Sequence, residues 1–286
     1  MFPVGIMVDS LRLPIADGLV KARQLGADGV QIYATSGAMA PEALSSAVRR
    51  ELLNRVRDIG LVVSALCGDP GGHGFAVAAD NAARIEQSER IIELARDLDC
   101  RVVTTHIGVV PGGADGRADT AHPRFGVLQD ACGRLADIAA SYGATFAVET
   151  GPESSTVLRS FLDTLPAGVG VNFDPANLVM VIGENPADAV KNLAPYIVHT
   201  HAKDGRMLRK TSAELIYNFF AEGGIEDLNL GEYFIELPLG DGDVNFPVYL
   251  KALSENGYTG FLTIEREVGD NPESDIRRAV ETLRAL

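Results

Sequence analysis

Four segments of the 286-residue chain end a short apolar run in a side chain that can bind a metal ion. They are Glu149 in Ala-Val-Glu-Thr-Gly, Asp174 in Asn-Phe-Asp-Pro, His201 in His-Thr-His-Ala and Glu265 in Thr-Ile-Glu-Arg. All four hold the same position relative to the run that precedes them. Three carboxylates and one imidazole form a hard, oxygen-rich donor set, which suits Mn²⁺, Mg²⁺ or Co²⁺ better than a structural zinc. Each residue alone reads equally well as a polar strand end satisfied by hydrogen bonds. Four together argue for an ion, because buried carboxylates gathered on one axis repel each other unless a cation sits among them. The expectation is one divalent metal ion, Mn²⁺ first, with Mg²⁺, Co²⁺ and Zn²⁺ as alternatives.

These residues lie 25, 27 and 64 positions apart, so only the fold can bring them together. Eight short, β-rich apolar runs recur along the chain: 4–8, 29–33, 61–66, 101–105, 145–148, 169–173, 197–200 and 260–264. Continuous runs such as Leu61-Val62-Val63 predict strands buried on both faces, as in a parallel sheet covered by helices. Between the runs lie segments with helical spacing, for example Leu44, Val48, Leu52, Val56 and Ile59. Gly26, Gly60, Gly143 and Gly257 each stand between a helical segment and a strand, where a left-handed residue ends a helix. Pro41-Glu42 and Pro186 mark helix starts. Eight βα units in 286 residues come to about 36 residues each, the size of a unit in a (β/α)8 TIM barrel. The α/β chain is therefore read as one TIM-barrel domain over residues 1–286. A doubly wound open sheet is disfavoured, because Val8-Asp9-Ser10-Leu11-Arg12 stands where a GxGxxG turn would follow the first strand. In a closed barrel the C-terminal strand ends converge on the axis, and the four candidate ligands with them. Two connections are long, Gly68 to Phe75 and Lys203 to about Pro247, and long loops on that face shape active sites.

The segments FAVETG, VNFDPANL, HTHAKD and LTIERE together resemble the sugar phosphate isomerase/epimerase family of xylose isomerase-like barrels, which includes D-tagatose 3-epimerase and inosose dehydratase. The resemblance covers strands three to eight and implies that Glu149, Asp174, His201 and Glu265 bind one divalent metal. It also implies that the second histidine of the HxH pair is the ligand, which leaves His199 beside the metal or against substrate. A divalent ion polarises a ketose carbonyl, and a carboxylate can then take the proton from the adjacent carbon. Two carboxylates on opposite faces can remove a proton and return it on the far side, inverting the carbon. Glu149 and Glu265 are the catalytic candidates, and 3-epimerisation of a free or phosphorylated ketose is the leading reading. Aldose–ketose isomerisation and loss of water, as in an inosose dehydratase, stay open.

Further substrate-binding candidates are His73 in the glycine-rich loop, His106 at the end of strand four, Asn177 three residues past Asp174, and Lys203 and Arg206 after the histidine ligand. In the tagatose epimerase pattern a histidine occupies the place of Asn177. Arg266, beside the last ligand, is a candidate brace for carboxylates. The segment Pro238 to Phe246 reads as a turn closing the long insertion.

The charge balance, 25 basic against 39 acidic residues for a net −14, argues against a nucleic-acid partner. It disfavours the endonuclease IV reading of the same barrel, which also needs more than the five histidines present. The three cysteines are odd in number and far apart, which suits buried thiols and not a disulfide framework. No apolar run nears the roughly 20 residues that span a bilayer, and Arg12 is the first basic residue, so a cytoplasmic enzyme without a membrane partner is expected. The expected partner is a small-molecule sugar substrate; a homo-oligomer formed through the outer helices is allowed but not required.

Overall fold

The computed structural model describes residues 2–286. Its strands are β1 (Val4–Met7), β2 (Gly29–Tyr33), β3 (Val62–Cys67), β4 (Val102–Thr105), β5 (Thr145–Glu149), β6 (Val169–Phe173), β7 (Ile197–Ala202), β8 (Asp204–Met207), β9 (Phe234–Leu237) and β10 (Leu262–Ile264). Strands β1 to β7 and β10 form a closed ring in chain order, with β10 lying between β7 and β1. Every pairing in the ring is parallel. This is the eight-stranded barrel that the apolar runs predict. The ring closes tightly at Gly5, where a Cβ would lie 2.5 Å from Thr263 Oγ1 across the β1–β10 pair.

The helices are α1 (Ile15–Gln24), α2 (Ser46–Asp58), α3 (Asn81–Asp97), α4 (Pro123–Ser141), α5 (Ser155–Leu162), α6 (Pro175–Asn177), α7 (Pro186–Leu193), α8 (Ala213–Ala221), α9 (Phe246–Glu255) and α10 (Pro272–Ala285). Side-chain caps start many of them: Ser45, Ser154, Asn185, Asn245 and Asn271 each accept a backbone N–H from the first turn. Gly26, Gly60, Gly143 and Gly257 all have positive φ at the helix-to-strand junctions. Val56, Ile91, Leu128, Phe161 and Leu253 fill the layer between helices and barrel.

Two local expectations need correction. Pro41 does not start α2; it opens a 3₁₀ turn over Pro41–Ala43, after which Leu44 is extended and Ser45 caps the helix proper. Val48 is 43% exposed, so the buried stripe of α2 rests on Val56 with Leu52 and Ile59 half-buried beside it. Cys67, Cys100 and Cys132 are free and buried, as expected. Among the described residues no helix is long and apolar enough to cross a membrane.

The long connection after β7 is ordered. Strands β8 and β9 pair antiparallel outside the barrel, and α8 lies between them in sequence. The Asp204 carboxylate organises the return segment by accepting the backbone N–H groups of Gly205, Gly240, Gly242 and Val244 at 2.8–3.1 Å. Pro238 to Phe246 is thus a turn wound around one carboxylate.

Candidate active site

The C-terminal strand ends bring Glu149, Asp174, His201 and Glu265 together: one donor atom of each lies within 4.8 Å of the others, and all four residues are buried. Glu149 ends β5, Asp174 follows β6, His201 is the penultimate residue of β7 and Glu265 follows β10. His201 Nδ1 lies 3.2 Å from Glu265 Oε2, 3.4 Å from Asp174 Oδ2 and 3.7 Å from Glu149 Oε1. One imidazole nitrogen therefore faces three carboxylates.

Neighbouring groups fix the direction of each donor. Asp174 Oδ1 caps the short helix α6 by accepting from Ala176 N and Asn177 N at 2.8 and 2.9 Å, which leaves Oδ2 for the cluster. Asn172 Nδ2 donates to Glu149 Oε2 at 3.0 Å, and Asn177 Nδ2 to Glu149 Oε1 at 3.2 Å. Gln31 Oε1 lies 3.0 Å from His201 Nε2 and accepts its proton. Asn172 Nδ2, 3.2 Å from the same nitrogen, is committed to Glu149. That assignment points Nδ1 at the carboxylates, where it carries a proton in the metal-free cluster and would offer its lone pair to a cation in the proton's place. After α6 the chain continues as a π-helical turn over Leu178–Ile182, a geometry that recurs beside functional sites.

The electrostatics are those of a cluster short of positive charge. Burial pushes the Glu149 carboxyl up to about 7, against the pull of His106 and His201. Burial opposes a charge on His201, yet Glu265 and Glu149 outweigh it and drive its pKa well up. Burial likewise opposes the charge on Glu265, but His201 and Lys203 hold its carboxyl well below the usual range. Three oxygen donors and one imidazole nitrogen, all on buried residues, fit a divalent cation of the hard class.

The other candidates are distributed unevenly. His106 Nε2 stands 3.6 Å from Glu149 Oε1. Asn177 touches the cluster through Glu149, as described. His199 lies beneath the cluster, fully buried, with Nδ1 2.8 Å from Asn172 Oδ1 and Nε2 2.9 Å from Thr263 Oγ1; burial and His201 push its pKa well down. It orients Asn172 and has no path to a ligand. Lys203 is buried with Nζ 3.0 Å from Glu265 Oε2 and a second bond to Glu267, so its ammonium is committed to carboxylates. His73 lines the mouth and binds Glu222 Oε1 through Nε2 at 2.7 Å. Arg206 is not brought to the site: on β8 it points outward and pairs with Asp243 at 2.8 Å. Arg266 braces carboxylates of a different set, Glu236 and Asp275.

A cavity of about 320 Å³ opens beside His106, walled by His73, Val109, Arg124, Tyr217 and Asn218. Four residues at or near the cluster were not singled out from sequence. Gln31 and Asn172 each interrupt an apolar strand with a buried amide, a signal that was present. Glu153, four residues past Glu149, is buried with Oε1 unpartnered and Oε2 accepting from Val110 N at 3.2 Å. Tyr217 comes from α8, inside the long connection, where nothing local marks it.

The family model for the xylose isomerase-like TIM barrel matches residues 19–286. The chain belongs to that family. An inosose dehydratase from Clostridium botulinum is 26% identical over 174 residues, 58% of this chain and 55% of the relative, so the chain spans about half that protein's length. The solved xylose isomerase domain protein from Planctomyces limnophilus is 26% identical with a TM-score of 0.78, over 99% of this chain and 96% of that one. A solved D-tagatose 3-epimerase-like protein superposes with a TM-score of 0.74 over 99% of this chain and 96% of that chain, at 19% identity, a likeness of fold.

Proposed function

We propose that the protein is a divalent-metal-dependent sugar isomerase/epimerase that moves a proton at the carbon beside a ketose carbonyl, with 3-epimerisation the leading reaction. The observation that carries this reading is that Glu149 and Glu265 reach one cluster from β5 and β10, strands separated in the ring by β6 and β7. Glu149, Asp174, His201 and Glu265 would hold the ion, Mn²⁺ by preference and Mg²⁺, Co²⁺ or Zn²⁺ as alternatives. When bound, it supplies a Lewis acid for two vicinal oxygens of the sugar.

The chain's own residues do the rest. Glu149, aimed into the cluster by Asn172 and Asn177, is placed to accept a proton from the sugar carbon and return it. Glu265 lies across the cluster, kept ionised by Lys203, and serves as the second carboxylate that inversion requires. Asn172 and Asn177 aim Glu149, and His106 stands beside it to meet a substrate oxygen. The cavity of about 320 Å³ adjoins the cluster only through His106, and we assign it to the end of the sugar remote from the ion.

A second reading is favoured by the inosose dehydratase relative: the same proton removal followed by cleavage of the adjacent C–O bond, with hydroxide leaving as water. Incubating the Mn²⁺-loaded protein with free and phosphorylated ketoses and an inosose in deuterated buffer tests both. Deuterium at C3 with no mass lost as water supports the epimerase. Loss of water supports the lyase. Absence of exchange with every compound refutes both.

A further inference from the structure

Helix α8 spans the mouth of the barrel and is clasped at both ends. Glu214 in its first turn pairs with Arg124 at 2.9 Å, at the start of α4. Glu222, just past its last turn, pairs with His73 at 2.7 Å, in the loop after β3. Between these clasps Tyr217 points inward. Its ring packs edge-on against His106 with centroids 5.7 Å apart, and both line the cavity.

The phenolic oxygen occupies space that only glycine leaves free. A Cβ on Gly151 would lie 1.9 Å from the Tyr217 hydroxyl and 3.2 Å from Asn177 Cβ. Gly151 is absent from the glycines with positive φ, so its backbone would tolerate a side chain and the requirement is one of space. Gly151 follows Glu149 by two residues, and Asn177 donates to Glu149 Oε1. The hydroxyl therefore sits at Gly151, two residues past Glu149 and near Asn177, whose amide bonds that carboxylate. Burial, then Glu149, Glu153 and Asp174, push the phenol well up, so it stays a donor.

We propose that Tyr217 is a substrate-contacting residue: its hydroxyl donates a hydrogen bond to the substrate oxygen on the Glu149 side of the cluster, and Gly151 is the notch that admits it. The inference rests on the sugar-enzyme reading and adds a residue contributed by the connection outside the barrel. As a proton leaves carbon for Glu149, negative charge grows on the sugar oxygens, and a neutral donor aimed there is worth more than in the ground state.

Tyr217→Phe removes the hydroxyl alone, Gly151→Ala blocks its seat, and Phe220→Ala alters an exposed residue of the same helix as a control. Each variant, loaded with Mn²⁺, is assayed with D-fructose, D-tagatose and an inosose, alongside metal content and unfolding midpoint. Expected is a loss of about tenfold or more in kcat/KM for Tyr217→Phe, falling mainly on kcat, with metal content and midpoint unchanged. Gly151→Ala loses a similar amount although it keeps the tyrosine, and Phe220→Ala loses nothing. If Gly151→Ala lowers the midpoint, Tyr217→Phe decides alone. Wild-type kcat and KM for Tyr217→Phe, in a protein whose parent converts one of these compounds, overturns the role of Tyr217 and leaves the sugar-enzyme reading standing. A parent that converts and binds none of them, nor any phosphorylated ketose, overturns the reading and, with it, this assignment.

Discussion

Glu153 sets up a pH dependence of stability that can be worked out from its surroundings. It is 7% exposed, its Oε2 accepts only from Val110 N, and its Oε1 has no partner. Burial raises its carboxyl from the usual 4.5 to about 8. The folded state then holds a proton that the unfolded chain releases, so stability is full below about pH 4.5 and is lost as pH climbs toward about 8. At about 1.4 kcal/mol per tenfold change in the protonation equilibrium, the full interval corresponds to about 5 kcal/mol, an order-of-magnitude figure. Glu153→Gln is nearly isosteric, keeps an oxygen for Val110 N and cannot ionise. Urea denaturation of both proteins should give similar stability near pH 5 and a variant more stable by about 3–5 kcal/mol near pH 9. Glu149 titrates in the same range but is common to both proteins, so it cancels in the difference. Identical pH dependence in the two would refute the claim that Glu153 folds protonated.

Three other perturbations probe the layers around the cluster. Gln31→Leu removes the acceptor for His201 Nε2–H and should weaken Mn²⁺ binding by about 10–100-fold, measured by competition with a chelator; unchanged affinity would contradict the orienting role. Lys203→Met takes the ammonium from Glu265 and lets its carboxyl rise, so the acid limb of the pH–rate profile should move to higher pH. Superimposable profiles would count against it. Gly5→Ala drives a methyl against Thr263 and should cost about 1–3 kcal/mol in thermal unfolding, whereas an unaltered midpoint would show that the β1–β10 seam has room to spare.

How much of this was legible in the sequence depends on how each residue reaches the site. Glu149, Asp174, His201 and Glu265 could be read because a strand end has one position relative to its apolar run, and barrel closure converts that shared position into proximity. The left-handed glycines were legible for a similar local reason. Arg206 is near His201 in sequence but not in space. The chain leaves the barrel after β7 at the buried Lys203, and by Arg206 on β8 the side chain is exposed and paired with Asp243. Asn172 and Gln31 were visible as amides in apolar strands, but only the distances to Glu149 and His201 give them a role. Tyr217 was not legible at all, because α8 is positioned by an ion pair to Arg124 and a hydrogen bond between Glu222 and His73, residues remote from it in the chain.

The central claim is that Glu149 and Glu265 handle the proton of a ketose at one metal-binding cluster. Its most direct test is to replace each separately by Gln and follow deuterium entry at C3, and turnover, at saturating Mn²⁺ with the ketose that the parent converts. Both variants are predicted to lose turnover, each by at least about a hundredfold. Parent-like exchange and turnover in both would contradict the account.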